Sequence, residues 1–176
     1  MALSNNQLLL VILVLQVHVI YVVSERSCNH TGGFLHAGND SNIIEGSVST
    51  KCSIVKVSQH LFHHSFANHP SARPCPNSNI HAQSEALLLD ACHPASSHTD
   101  KWRPGLKVID NLSRIPKGEP IGMFINGVSQ GKWAIFWNCH VTGSVASYEI
   151  IKQTYGSPAT LTEAGHDEGM YYTLNW

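Results

Sequence analysis

The chain has 176 residues, with 11 lysines and arginines against 12 aspartates and glutamates, so its formal net charge at pH 7 is −1. This balance provides no basic surface for nucleic acid or for an anionic membrane, and it argues against both as partners. The length is that of one domain with a proper hydrophobic core.

The N-terminal segment is long, apolar and without charged side chains. The first 24 residues contain no acidic or basic side chain, and residues 8–23 are apolar except for Gln16 and His18. An apolar run of this length at the N-terminus predicts a secretory signal peptide over residues 1–24, with a retained signal-anchor as the alternative. Because no later segment is long and apolar enough to span a membrane, we expect a secreted, extracellular protein.

The cysteines are then expected in an oxidising compartment, where disulfides persist. None of the five belongs to a C-x-x-C pair, which argues against a zinc ribbon or a thioredoxin-like site. We predict the pairs Cys28–Cys52 and Cys92–Cys139, which leaves Cys75 over.

Residues 25–79 are rich in His, Ser and Asn, and they end in a Pro-rich linker. We predict a single strand there, over residues 52–62. Sequons for N-glycosylation indicate exposed positions in this segment and beyond it. They begin at Asn29, Asn39 and Asn111.

The histidines of this segment suggest a metal site as one alternative function. Four imidazoles lie within ten residues, and at helical spacing such groups can share a metal ion. The competing interpretation is a set of exposed, solvated histidines that share no metal ion. These weak metal candidates are His60, His63, His64 and His69.

Residues 80–176 predict one short helix followed by strands, an α+β plan. The helix starts at or just before Ser84, continues through the apolar residues 86–89 and 91, and ends at His93-Pro94. Alternating or continuous apolar stretches predict the strands. These lie within residues 106–110, 118–127, 132–143, 145–156 and 169–176.

Four motifs in this half follow in the order and spacing of a known family. They are DKWRPGLKVID, IPKGEPIGMFINGV, WAIFWNCH and IIKQTYGSP. In them the chain resembles the NlpC-like, papain-fold cysteine amidases, which include cell-wall amidase effectors delivered between bacteria. The resemblance covers about residues 80–176. It implies a papain-like domain in which one main N-terminal helix packs on an antiparallel β-sheet.

The family's catalytic triad is replaced at all three positions. In such enzymes a Cys at a helix start is the nucleophile, because the helix dipole stabilises its thiolate. A His on the core strand is the base, and an Asp on the next strand orients it. The matching positions here are Ser84, Lys132 and Lys152. The resemblance therefore implies a non-catalytic protein that needs no cofactor and binds peptidoglycan fragments or a protein partner, with antibacterial defence as the expected context.

Other interpretations of these residues stay open. An amidase with an altered nucleophile would use Ser84 with Lys132 as its base, which requires a desolvated lysine. In the simpler alternative, Ser84 caps the helix and Lys132 extends into solvent. Trp102, Trp133 and His140 are candidate ligand contacts, although burial in the core is the competing explanation for the two tryptophans.

Overall fold

The computed structural model describes residues 52–142, 145–164 and 170–176, together with the backbone of Arg26–Ser27. The predicted signal peptide and the positions Cys28, Asn29 and Asn39 lie outside the described residues. Within the described part, no helix is long and apolar enough to cross a membrane.

Two α-helices are present in the described residues, where the sequence indicated one. The predicted helix is α2, Ser84–Cys92, in which seven of nine residues are buried. It ends at His93, which adopts the left-handed conformation with φ of 50°. The other helix, α1, is Ile54–Phe62, and a single 3-10 turn follows at Thr99–Lys101.

Helix α1 occupies the place where we predicted a strand, so that prediction is wrong. The β-branched residues and the polar–apolar alternation after Cys52 resemble a strand. However, Ser53 caps a helix start, since its Oγ accepts a hydrogen bond from the Lys56 backbone N–H at 3.4 Å. Val57 and Leu61, one helical turn apart, both pack against the core. Helical spacing therefore buries more apolar surface here than strand alternation would.

The strands are β1 Arg26–Ser27, β2 Arg103–Lys107, β3 Pro120–Ile125, β4 Val128–Thr142, β5 Val145–Lys152, β6 Thr160–Ala164 and β7 Tyr171–Asn175. They form an antiparallel sheet in the order β2-β7-β3-β4-β5-β6, and β1 pairs with the end of β4 that β3 does not reach. Thus the protein is α+β, with the long strand β4 at the centre of the sheet.

The core on the helical side of the sheet joins both halves of the described chain. Trp102 and Trp133 meet edge to face, with ring centroids 4.8 Å apart, and α2 packs against them. The segment before the predicted boundary at residue 80 contributes Val57, Ala67 and Ala72 to this same cluster. A second cluster, which includes Phe136 and Tyr148, lies under residues 108–115.

A disulfide links Cys52 to Cys92 across 40 residues of sequence. The predicted pairs Cys28–Cys52 and Cys92–Cys139 are therefore wrong. The cause is the contact between the two helices, because the Ser53 backbone N–H donates to the Ala91 carbonyl at 2.7 Å and brings Cys52 beside the end of α2.

The remaining described cysteines differ in state. Cys75 is buried and is the free cysteine of the described residues, as expected. Cys139 is disulfide-bonded, and its partner lies outside the described residues.

Candidate functional site

A cavity of about 390 Å³ opens where the start of α2 meets β4 and the end of β5. Its volume lies within the range of small-molecule binding sites, roughly 300–1,000 Å³. Strands β4 and β5 are antiparallel, and Ile135 pairs with Ile151. Lys132 on β4 and Lys152 on β5 therefore lie at the same end of this strand pair, next to the cavity. The lining residues are Arg73, Gln83, Ser84, Met123, Gln130, Gly131, Lys132, Trp133, Lys152, Gln153, Thr154, Tyr155 and Tyr171.

Ser84 is the first residue of α2 and fastens the helix to the sheet. The N-cap is Gln83, in an extended conformation and without a side-chain capping bond, so the expectation that Ser84 caps the helix is wrong. Instead, Ser84 Oγ donates a hydrogen bond to the Gly131 carbonyl on β4 at 3.0 Å. The hydroxyl proton is thereby directed at a backbone carbonyl next to Lys132.

Lys132 and Lys152 carry unpaired charges at the cavity. Lys132 is exposed on β4, and Lys152 is half-buried as the last residue of β5. Neither ammonium group has a hydrogen-bond or ion-pair partner within the described residues. The three positions that the resemblance equates with Cys, His and Asp therefore surround one cavity, although they are far apart in the sequence.

Beside them lies an ion pair between a buried carboxylate and a half-exposed guanidinium, which was not predicted from the sequence. Glu85, only 1% exposed, accepts hydrogen bonds from Arg73 Nε at 2.8 Å, from Nη2 at 3.1 Å and from the Arg73 backbone N–H at 2.9 Å. Burial by itself raises the pKa of Glu85. The hydrogen bonds and the charge of Arg73 lower this pKa by more than burial raises it, so that the net pKa lies below its ordinary value.

Arg73 is affected in the opposite direction, since its hydrogen bond to Glu85 raises its pKa against the effect of burial. The pair thus neutralises itself at the rim of the cavity. A signal for it existed in the sequence, because a glutamate within the apolar run of a buried helix needs a cationic partner.

Gln153 holds the wall of the cavity together. Its buried amide bridges β5 to a distant segment, because Oε1 accepts from the Ala67 backbone N–H at 2.8 Å. Nε2 donates to the carbonyls of Ala67 at 2.9 Å, Ala82 at 3.1 Å and Gln83 at 3.2 Å. The residue directly after Lys152 therefore fixes the start of α2 relative to the sheet.

The two tryptophans that were predicted as ligand contacts lie in different environments. Trp133 lines the cavity with 2% of its surface exposed, and its indole N–H is the one buried side-chain polar group in the described residues without a hydrogen-bond partner. Trp102, by contrast, is 1% exposed, donates from Nε1 to the Ser96 carbonyl at 2.8 Å and does not line the cavity. The Trp102 ring therefore belongs to the aromatic core and not to this cavity, and its role as a ligand contact stays a prediction.

His140 does not join this site either. It lies eight residues after Lys132 on β4, which corresponds to about 26 Å along a strand. Its Nε2 is 3.5 Å from Glu149 Oε2 on the neighbouring strand β5. His140 thus belongs to a cross-strand pair away from this cavity, and its role as a ligand contact stays a prediction.

Of the histidine cluster, His60 makes structural contacts. Its Nδ1 lies 3.0 Å from Ser65 Oγ, and its Nε2 lies 3.2 Å from Asp90 Oδ2 on α2. Lys56 also contacts Asp90, with Nζ 3.3 Å from Oδ1. Burial raises the pKa of Asp90, but the hydrogen bonds from His60 and Lys56 outweigh it, and the net pKa is lowered. His60 therefore helps to join the two helices.

The other metal candidates do not converge on His60. His63 and His64 are exposed beyond the end of α1, and His69 accepts a hydrogen bond from the Ser71 backbone N–H at 3.2 Å. No group of three or more His, Cys, Asp or Glu side chains in the described part of the chain is arranged to hold a metal ion.

Asn111, the described sequon residue, is half-buried. Its Nδ2 donates to the Lys107 carbonyl at 2.9 Å, and its Oδ1 is 3.4 Å from Arg114 Nη1. Glycosylation at Asn111 stays a prediction.

A comparison of the chain with protein-family models, with curated proteins and with solved structures finds no match. A function must therefore be argued from the site. Two lysines, an arginine, four hydroxyl-bearing residues and several amide and aromatic groups line the cavity, and its described lining contains no thiol, imidazole or carboxylate. Such a set of groups is suited to bind an anion.

Proposed function

We propose that this chain is a secreted, non-catalytic protein of the NlpC-like amidase type, which binds peptidoglycan fragments in the cavity without hydrolysing them. The observation that carries the proposal is the convergence of Ser84, Lys132 and Lys152 on one cavity. Three separate motifs predicted these positions as the places of a nucleophile, a base and an orienting group. A protein partner at the same surface is the alternative ligand.

The chemistry of the three side chains supports binding over turnover. Cysteine amidase catalysis needs a thiolate and an imidazole within hydrogen-bond reach. Here Ser84 Oγ donates to the Gly131 carbonyl, which is not a base. Lys132 is exposed at the cavity, so its ammonium group is not desolvated as a lysine base requires.

The architecture is compatible with the papain-like arrangement that the proposal assumes. The start of α2 faces the central strand β4 of an antiparallel sheet, so a residue at the helix start approaches a residue on the strand. The disulfide Cys52–Cys92 fits an oxidising compartment and thus supports secretion.

The test is a pull-down of the purified protein on insoluble peptidoglycan, with the turbidity of the same suspension followed in parallel. We expect the protein in the pellet and no fall in turbidity, for wild type and for Ser84→Ala alike. Clearing that depends on Ser84 would contradict the non-catalytic proposal. Absence of both binding and clearing would contradict peptidoglycan as the ligand and favour a protein partner.

A second candidate function is an amide hydrolase that uses Ser84 as nucleophile and Lys132 as base. It is favoured by one contact, since Ser84 hydrogen-bonds the residue directly before Lys132. Labelling with a serine-reactive fluorophosphonate separates the two candidates. An adduct on wild type that is lost in Ser84→Ala supports the hydrolase, whereas no Ser84-dependent adduct excludes it.

A further inference from the structure

We infer that the cavity anchors its ligand through a carboxylate held between Lys132 and Lys152, and that it therefore selects peptidoglycan stem peptides with free carboxylates over amidated ones. The inference rests on the proposed function, because it names the ligand group that the same cavity recognises.

The first argument is the charge of the cavity. Lys132, Lys152 and Arg73 line it, and no carboxylate is part of the described lining. The guanidinium of Arg73 is neutralised by the buried Glu85, which holds it through both Nε and Nη2. Two positive charges remain, although the chain as a whole has a net charge of −1. An anionic ligand would compensate the repulsion between them.

The second argument is that three other described lysines have partners for their charges. The ammonium of Lys56 pairs with Asp90 at 3.3 Å, and that of Lys107 pairs with Asp110 at 3.5 Å. Lys117 lies over the ring of Trp137, with Nζ 3.6 Å from the centroid.

Unpaired lysines of the described chain are Lys101, Lys132 and Lys152, and two of these three share one cavity. Lys101 is exposed in the 3-10 turn, away from that cavity, and this makes it a matched control.

The third argument concerns the shape of the ligand. The start of α2 opens into the cavity without a side-chain cap on its first turn, and a helix N-terminus favours negative charge. Met123, Tyr155 and Tyr171 provide apolar and aromatic surface in the same cavity. The combination fits a carboxylate attached to a small organic body, such as a peptide, better than it fits an isolated inorganic ion.

A carboxamide in the same position would be rejected for two reasons. It has no negative charge for the two ammonium groups, and its NH₂ group is a donor that faces other donors. Lysine contributes only donors, so neither lysine can adapt to an amide nitrogen. The carboxylates of peptidoglycan stem peptides can be replaced by carboxamides, and the cavity would therefore distinguish these two chemical forms of the cell wall.

The experiment is calorimetric titration with the tetrapeptide L-Ala-γ-D-Glu-meso-diaminopimelate-D-Ala and with the same peptide carrying carboxamides in place of its carboxylates. We expect the acid form to bind wild type about a hundredfold more tightly than the amidated form. Lys132→Met and Lys152→Met should each weaken binding of the acid form about tenfold, as expected for one charge-assisted hydrogen bond. Lys101→Met should leave it unchanged. Raising the salt to about 0.5 M should weaken only the acid form.

The outcomes distinguish a failure of the carboxylate anchor from a failure of the proposed peptidoglycan binding. If both peptide forms bind equally, or if the two cavity variants match Lys101→Met, the carboxylate anchor is refuted while peptidoglycan binding survives. If wild type binds neither peptide nor insoluble peptidoglycan, the proposed function fails, and the anchor fails with it. Because none of the three ammonium groups has a hydrogen-bond or ion-pair partner within the described residues, we expect all three variants to melt like wild type.

Discussion

Replacement of Arg73 by methionine is expected to destabilise the fold by about 2–3 kcal/mol at pH 7. The change removes two charge-assisted hydrogen bonds to Glu85 and keeps the third, which comes from the Arg73 backbone N–H. Such bonds contribute about 1.5–3 kcal/mol each. The Arg73 side chain is 53% exposed, so solvent screening reduces the sum, but the carboxylate left behind is 1% exposed and has lost its charged partner.

The cost should depend on pH in a definite direction. In wild type the pKa of Glu85 is lowered, so its contribution to stability is present above the unfolded pKa of 4.5 and is lost as the pH falls through the folded value. In Arg73→Met, burial is no longer opposed by the guanidinium, and the folded pKa of Glu85 rises. The substitution therefore lowers the free energy of unfolding only at pH values at which Glu85 must be ionised. The difference between the two proteins should therefore be largest near neutral pH and smaller near about pH 4.

Urea unfolding followed by tryptophan fluorescence measures both quantities, at pH 7 and near about pH 4. Lys107→Met is the matched control, because it removes a lysine from an exposed ion pair with Asp110 and should change stability by less than about 0.5 kcal/mol. The reasoning is refuted if Arg73→Met costs no more than this control. It is equally refuted if the cost of Arg73→Met is the same at both pH values.

Three further variants test other stabilising contacts of the fold by the same unfolding measurement. Gln153→Glu should cost about 3 kcal/mol or more, because a carboxylate oxygen would face the backbone carbonyls to which the amide now donates. Replacement of both Cys52 and Cys92 by alanine should cost about 4 kcal/mol, the loop-closure value for a 40-residue separation. Gly122→Ala should cost about 1–3 kcal/mol, since its Cβ would overlap the buried ring of Trp133.

Each of these has a clear contrary result. Wild-type stability in Gln153→Glu would mean that the amide bridge contributes nothing, and Gln153→Asn, which shortens the side chain but keeps the amide, serves as its control. If a reducing agent lowers the stability of the double cysteine variant as much as that of wild type, the loss does not come from the disulfide. Wild-type stability of Gly122→Ala in urea unfolding would mean that the Trp133 ring shifts to accommodate the added methyl group.

Much of the sheet could be predicted because apolar runs are interrupted by residues that break strands. The prediction of strands within residues 118–127, 132–143, 145–156 and 169–176 is confirmed by β3, β4, β5 and β7. The predicted helix is confirmed as α2, since His93-Pro94 stops it.

The edges of the sheet were harder to predict. The strand predicted over residues 106–110 is wrong at residues 108–110, which form a turn. Strand β2 is instead Arg103–Lys107, because an edge strand tolerates Pro104 in its ladder. Strand β6, at the other edge, was missed, because most of its side chains face solvent and leave little apolar pattern.

Part of the candidate site could also be predicted from the sequence, and part could not. Ser84, Lys132 and Lys152 could be brought together because each belongs to a motif with its own local pattern. The amide bridge of Gln153 could not be predicted, since it joins backbone groups that lie 86 residues away at Ala67. Long-range hydrogen bonds of this kind follow from the packed fold and leave no periodic signal in the chain.

The central claim is that the cavity binds peptidoglycan fragments and leaves them intact. Its most direct test is mass spectrometry of muropeptides recovered from the protein after long incubation, compared with those recovered from Ser84→Ala. The account predicts bound fragments of unchanged mass from both proteins. Fragments with a cleaved amide bond from wild type, and intact ones from Ser84→Ala, would contradict it.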